Sequence, residues 1–283
     1  MKKTIVQLAV LAVGLWAAGA RADVVAGRVA ADLSKPDPAA KYWEKVPVAE
    51  VILMAQPMVV PRPATTTTAK VSVQALHDGK RIAFRLSWSD PQRSEAGKLG
   101  EFSDAAAIQF PARAGEAPPI VMMGSKDNPV HIFHWRAQYQ RDAEKGKPTI
   151  RDLYPNVSTD MYPMEFVDPA SSGAATEHDR ERYSPGRAEG NPQSYSKTGV
   201  DEIIAEGFST SSVQAGSQSF GKAVWDSGQW ALVISRPLVI EGGSTLFPGK
   251  PSFLGFAVWQ GGALEVGSRK CVTMAWTNLQ VAP

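Results

Sequence analysis

A lysine stands where an extended chain would turn it toward apolar neighbours. In 265-EVGSRKCVTMAW-276 a strand places Lys270, Val272, Met274 and Trp276 on one face, with Arg269, Cys271 and Thr273 on the other. An ammonium on an apolar face costs several kcal/mol unless it is paired, neutralised or bound to something. Two states meet that cost. The side chain can snorkel at a sheet edge, stem on apolar surface and head in water, or the amine can be neutral and ligate a metal centre. Holding a lysine of reference pKa about 10.4 neutral at pH 7 costs roughly 4–5 kcal/mol, which a strong iron–nitrogen bond offsets. A second stretch, 117-APPIVMMGSKDNPVHIFHWRA-137, sets Met122 and Met123 before Gly124. Methionines there either fill core gaps or offer a thioether as a soft axial ligand to haem iron.

The other reactive side chains give less. His131 and His134 invite a metal pair, but residues three apart on a strand face opposite sides, so His134 is expected beside the core and His131 on the other face. His134 also competes as an iron donor, because imidazole is a good iron ligand. The stretch 207-GFSTSS-212 lacks the second glycine of a nucleophile elbow. Carboxylates are scattered, so no hydrolase pair is nominated and no catalytic residue is expected. Cys271 is the single cysteine, which excludes an internal disulfide, and the absence of CxxCH excludes ordinary covalent haem attachment.

These residues need a β scaffold. In 80-KRIAFRLSWSDP-91, Ile82, Phe84, Leu86 and Trp88 alternate with mostly polar neighbours, the pattern of a half-buried strand. The preceding 71-VSVQALHDGK-80 supplies its partner through an Asp78-Gly79 turn, and the same grammar recurs at 222–238 around Asp226-Ser227-Gly228 and at 252–262. Short strands with Gly and Pro punctuation and no βα alternation predict a mainly β chain, an antiparallel β-sandwich. Residues 138–198, rich in charge, Pro, Gly, Ser and Tyr, read as a long irregular insertion, functional or mobile. Lys2 and Lys3, an apolar run from Ile5 to Ala18, and Ala20-Arg21-Ala22 read as a cleaved signal peptide over 1–22, leaving one domain over 23–283. No later segment is apolar enough to span a membrane. Thirty basic against 28 acidic residues, without a basic block, make nucleic acid an unsuitable partner.

Five segments together resemble a known family: DGKRIAFRLSWSDP, PPIVMMGSKDNPVHIFHWRA, 185-PGRAEGNP-192, 205-AEGFST-210 and the terminal VWQGGALEVGSRKCVTMAW. They are similar to the haem-binding γ subunits of periplasmic molybdenum enzymes such as ethylbenzene dehydrogenase, dimethylsulfide dehydrogenase, selenate reductase and chlorate reductase. The resemblance implies a sandwich related in shape to carbohydrate-binding modules, holding one non-covalent haem b between a methionine and a lysine. The methionine directly before a glycine maps to Met123, with Met122 as the alternative, and the lysine after a Gly-rich turn maps to Lys270. It further implies a periplasmic, non-catalytic electron-transfer subunit. Its partners would be a molybdenum catalytic subunit, an iron–sulfur subunit and a soluble cytochrome or similar carrier. The rival reading is a secreted sugar-binding sandwich, with Trp88, Trp135, Trp225, Trp230, Trp259 and Trp276 forming a stacking platform.

Overall fold

The computed structural model describes residues 23–95, 97–113, 117–146, 148, 150–156, 186, 189–191 and 199–283. The expected signal peptide and most of the 138–198 insertion lie outside the described residues. The strands are β1 Asp23–Arg28, β2 Ala49–Ile52, β3 Met54–Ala55, β4 Lys70–His77, β5 Arg81–Ser89, β6 Ala105–Pro111, β7 Val130–Arg136, β8 Val200–Ala205, β9 Ser212–Val213, β10 Phe220–Asp226, β11 Gln229–Pro237, β12 Pro251–Trp259, β13 Cys271–Val272 and β14 Thr277–Val281.

Strand β12 belongs to two sheets: Pro251–Leu254 pairs with β14 in the first and Gly255–Trp259 with β6 in the second. The first sheet runs β10-β11-β5-β4-β1-β14-β12, with β2 beside the start of β4. The second runs β3-β13-β12-β6-β7-β8-β9. All pairings are antiparallel except that β1 runs parallel to both β14 and β4. The expected hairpins form. At Asp78 a carboxylate oxygen accepts from the N–H groups of Lys80 and Arg81. Ser227 and Gly228 take φ of 49° and 80°, the left-handed pair that a two-residue hairpin turn requires.

The two sheets close on one apolar layer. Ile82, Phe84, Leu86 and Trp88 are fully or almost fully buried, and they meet the other sheet through Phe84–Phe110 at 5.7 Å and Trp88–Trp135 at 6.5 Å between ring centroids. Outside the first sheet, Leu33, Trp43 and Val46 cover Leu76, Ala83 and Val233. The expectation of irregular chain from 138 onward fails at its start, where Ala137–Lys145 is an α-helix. Gln140 anchors it. Its Oε1 accepts from the Ala223 N–H at 2.8 Å and from Trp135 Nε1 at 3.1 Å, and its Nε2 donates to the Ala223 carbonyl at 3.0 Å. Gln138 N–H on Ser103 Oγ at 3.0 Å and Arg141 on the Glu95 carbonyl at 3.3 Å hold it as well, polar ties to distant segments that the local sequence does not mark.

Candidate functional site

The second sheet carries an apolar cluster on each face, and the outer one includes small side chains. Phe256 and Val258 of β12 and Ile108 and Phe110 of β6 point into the sandwich; Ala105, Ala107 and Ala257 point outward, with Gly255 between them. A Cβ added at Gly255 would sit 3.3 Å from Gln109 Nε2 and 3.4 Å from Val121 Cγ2, so this glycine leaves room under the loop above it. Over this low floor fold the 117–128 loop and the 260–270 loop. Beside this floor, bounded by Ala105, Met123, Ile132 and the 260–270 loop, is a cavity of about 750 Å³, within the roughly 300–1,000 Å³ usual for cofactor-sized ligands. A smaller cavity adjoins it, and Gln56, Met123, Ile132, Trp259 and Lys270 line both.

Local backbone chemistry sets Met123 on this wall. Met123 and Gly124 have φ of 69° and 72°, consecutive left-handed residues, the first at a cost of roughly 1–2 kcal/mol for a side chain with a Cβ. The turn is closed by Gly124 N–H donating to the Ile120 carbonyl at 3.0 Å, and the Gly207 N–H donates to the Met123 carbonyl at 2.8 Å. Trp276 Nε1 ties the loop down through the Pro119 carbonyl. Any side chain at Gly124 would meet the Asn128 carbonyl oxygen at 2.9 Å and that of Ala205 at 3.1 Å. The Met-Gly order is therefore a packing requirement as well as a motif. Met122 lines only the smaller cavity.

Lys270 reaches the same space from 147 residues further along. Its carbonyl accepts the Gln56 N–H at 2.9 Å, and its Nζ lies 4.7 Å from the centroid of the Trp259 ring. That ring is fixed by Nε1 donating to the Gly267 carbonyl at 2.9 Å. No carboxylate pairs with the amine among the described residues, and burial lowers its pKa to about 8. His134 packs against Trp259 as well, with ring centroids 4.8 Å apart. Its Nε2 is buried without a hydrogen-bond partner among the described residues. Burial, then Arg136 and Lys270 nearby, push its pKa well below the ordinary value, so the imidazole is neutral. A thioether, an amine of lowered basicity and a neutral imidazole thus share one largely apolar cavity. All three are competent donors to a transition metal.

Two expectations about faces need correction. The segment 265–276 is not one strand: Arg269 N–H closes a turn on the Val266 carbonyl, and only Cys271–Val272 is extended. Lys270 and Val272 do share a side, but it is the outer face, while Cys271 points into the sandwich core. Arg269 lines neither cavity. The two histidines do occupy opposite faces, in the reverse sense. His131 is the inward one: its Nδ1 accepts the Ser244 N–H at 3.1 Å, beside an Arg236 that is fully buried and stacked on Phe110 and Phe133. His134 looks into the outer cavity. Nothing in the sequence marked the floor of small residues, although 105-AAA-107 and the glycine at 255 were visible in it.

The architecture is a β-sandwich whose candidate site lies on an outer sheet face and not between the sheets. The chain belongs to the ethylbenzene dehydrogenase family, whose model matches residues 40–271. It is 26% identical over 259 residues to a Haloferax mediterranei protein provisionally named as a respiratory nitrate reductase haem subunit, covering 90% of this chain and 71% of that one. It is 27% identical over 247 residues to the chlorate reductase subunit gamma of Ideonella dechloratans, covering 86% and 78%. Among solved structures it is similar to a family 9 carbohydrate-binding module from Caldicellulosiruptor kristjanssonii in complex with glucose, at 8% identity and a TM-score of 0.40, covering 92% of this chain and 95% of that one. A likeness at that level says nothing about the ligand.

Proposed function

We propose that this chain is a non-catalytic electron-transfer subunit that holds one haem b without a covalent link, with Met123 and Lys270 as the axial ligands. The observation that carries this reading is the convergence of Met123 and Lys270 on one cavity, the lysine with no counter-ion among the described residues. The residues fit the group. A flat, mostly apolar cofactor suits walls made by Ala105, Ile132, Ile203, Trp259 and Val266, and a thioether with a deprotonated amine is a chemically sound pair for iron. The names of the two relatives, a haem subunit and a gamma subunit, support it independently.

Bound haem supplies one-electron chemistry. The chain's own part is to present the two ligands from anchored turns, to hold the ring against apolar walls, and to lower the basicity of Lys270 by burial, so that less free energy is needed to remove its proton when the amine ligates. One cysteine cannot hold a four-cysteine cluster. In this reading the molybdenum and iron–sulfur centres sit on partner chains, a soluble cytochrome or similar carrier exchanges electrons with this subunit, and the chain works in the periplasm after loss of residues 1–22. A sugar platform needs exposed rings, but Trp88, Trp135, Trp230, Trp259 and Trp276 are buried, and Trp225 is half-buried with Nε1 bonded to the Asp90 carbonyl. The test is haem titration of the mature protein beside Met123→Ala and Lys270→Ala. The wild type should give a low-spin, six-coordinate spectrum and each variant should lose it. Low-spin spectra from both variants would remove this ligand pair.

A further inference from the structure

Along β7 the residues that face the cavity change from apolar to cationic. Ile132, His134 and Arg136 line it, while Phe133 and Trp135 face the core, and successive cavity-facing residues are about 6.5–7 Å apart along an extended chain. At the Arg136 end one buried nitrogen has no hydrogen-bond partner among the described residues, and a guanidinium hydrogen-bonded to Tyr139 has no carboxylate in ion-pair contact among them. His134 Nε2 is buried and unpartnered. The Arg136 guanidinium rests on the Tyr139 ring, 4.8 Å from its centroid, and takes part in no ion pair among the described residues. The remaining charged groups that line the cavity are Glu101, Glu265 and Lys270, and the buried Asp201 stands opposite His134 in the β7–β8 ladder, close enough to act on Tyr139. Glu265 is already engaged, accepting from Thr67 Oγ1 at 2.7 Å and from the Gln260 N–H at 2.8 Å. Lys270 lies over Trp259, and Glu101 is exposed at the rim.

One wall therefore grades from an apolar interior to an imidazole and then a guanidinium, both able to donate. Such a wall suits a ligand that is apolar over most of its area and carries carboxylates at one edge. We propose that Arg136 and His134 form the carboxylate subsite of the cavity, and that on the haem reading given above they receive the propionates. A guanidinium offers a fork of N–H donors matched to a carboxylate, and a neutral imidazole protonated on Nε2 adds one more.

The test compares haem b with its dimethyl ester, which keeps the ring and iron but removes both carboxylates. Each is titrated into the haem-free mature protein and followed by absorbance. Wild type should bind haem b more tightly than the ester. Arg136→Leu should weaken haem b binding roughly ten- to hundred-fold, the range for hydrogen bonds to a charged group, and leave ester affinity unchanged. Arg136→Lys should recover part of the loss as a point charge. If wild type binds haem b and the ester alike, or if Arg136→Leu weakens both equally, the subsite is wrong while the haem reading stands. If wild type takes up neither, the haem reading falls and the subsite with it.

Discussion

Replacing Lys270 with methionine should make the haem-free protein more stable at neutral pH. Burial lowers the amine pKa from 10.5 to about 8, which at 1.36 kcal/mol per unit corresponds to about 3 kcal/mol of destabilisation when the group is protonated. Contact with Trp259 returns roughly 0.5–2 kcal/mol to the charged form, so a net gain of about 1–3 kcal/mol is expected. Methionine has a similar length and a sulfur that suits the ring, so no cavity is opened. The sign follows from proton counting. Below pH 8 the amine is protonated in both states and the penalty is complete. Between about 8 and 10.5 the unfolded chain keeps a proton that the folded chain releases, so wild-type stability rises with pH. The advantage of Lys270→Met should thus shrink to under about 1 kcal/mol by pH 10. Urea unfolding of both haem-free proteins at pH 7 and pH 10 measures this directly, with Arg269→Met as a control outside the cavity. A variant no more stable than wild type at pH 7, or a gap that does not narrow with pH, refutes the reasoning. The same lysine would then be neither a strained group in the empty protein nor a poised ligand.

Three further outcomes follow from the site and its supports. Gly124→Ala should cost more than Gly100→Ala in urea midpoint and also weaken haem uptake. Both glycines are left-handed, but only the first added Cβ meets backbone oxygens near 3 Å, while Gly100 faces open space; equal costs would discount the clash. Met123→Ala should abolish the low-spin spectrum while Met122→Ala preserves it, since Met122 misses the larger cavity; the reverse pattern moves the ligand by one residue. Asp90 has its pKa raised to about 7, first by burial and then by Asp104. Wild-type stability should therefore fall as pH climbs from about 4 through 7, and Asp90→Asn should flatten that fall in thermal melts between pH 5 and 8. A parallel decline in both proteins would assign the slope elsewhere.

Local periodicity made part of this legible. Ile82, Phe84, Leu86 and Trp88 were readable because period two is a property of one strand, and both hairpins because their turns carry their own residues. The parallel insertion of β1 between β14 and β4 was not, since pairing with strands from other parts of the chain leaves no local mark. Division of β12 between two sheets was hidden for the same reason. Parity correctly separated His131 from His134 and joined Lys270 to Val272, but parity alone cannot say which side is the core. Cys271 and Phe133 look as apolar as their neighbours, and only the packing of the second sheet shows that they face inward. Lys270 was marked by strand parity and, with Met123, mapped as a ligand by family likeness; their common cavity depends on loops anchored by Trp276, Gly207 and Gln56, contacts too distant in sequence to foresee.

The central claim is that one haem b sits between Met123 and Lys270 of this chain, and its most direct test is a stoichiometric haem titration of the mature protein with spectra taken oxidised and reduced. Saturation is expected at one haem per chain, with a sharp Soret band and narrow α and β bands on reduction, and acid–acetone should extract all of the haem. A folded protein that stays colourless with excess haem, or one that takes haem only in a high-spin form unaffected by Met123→Ala and Lys270→Ala, would contradict it.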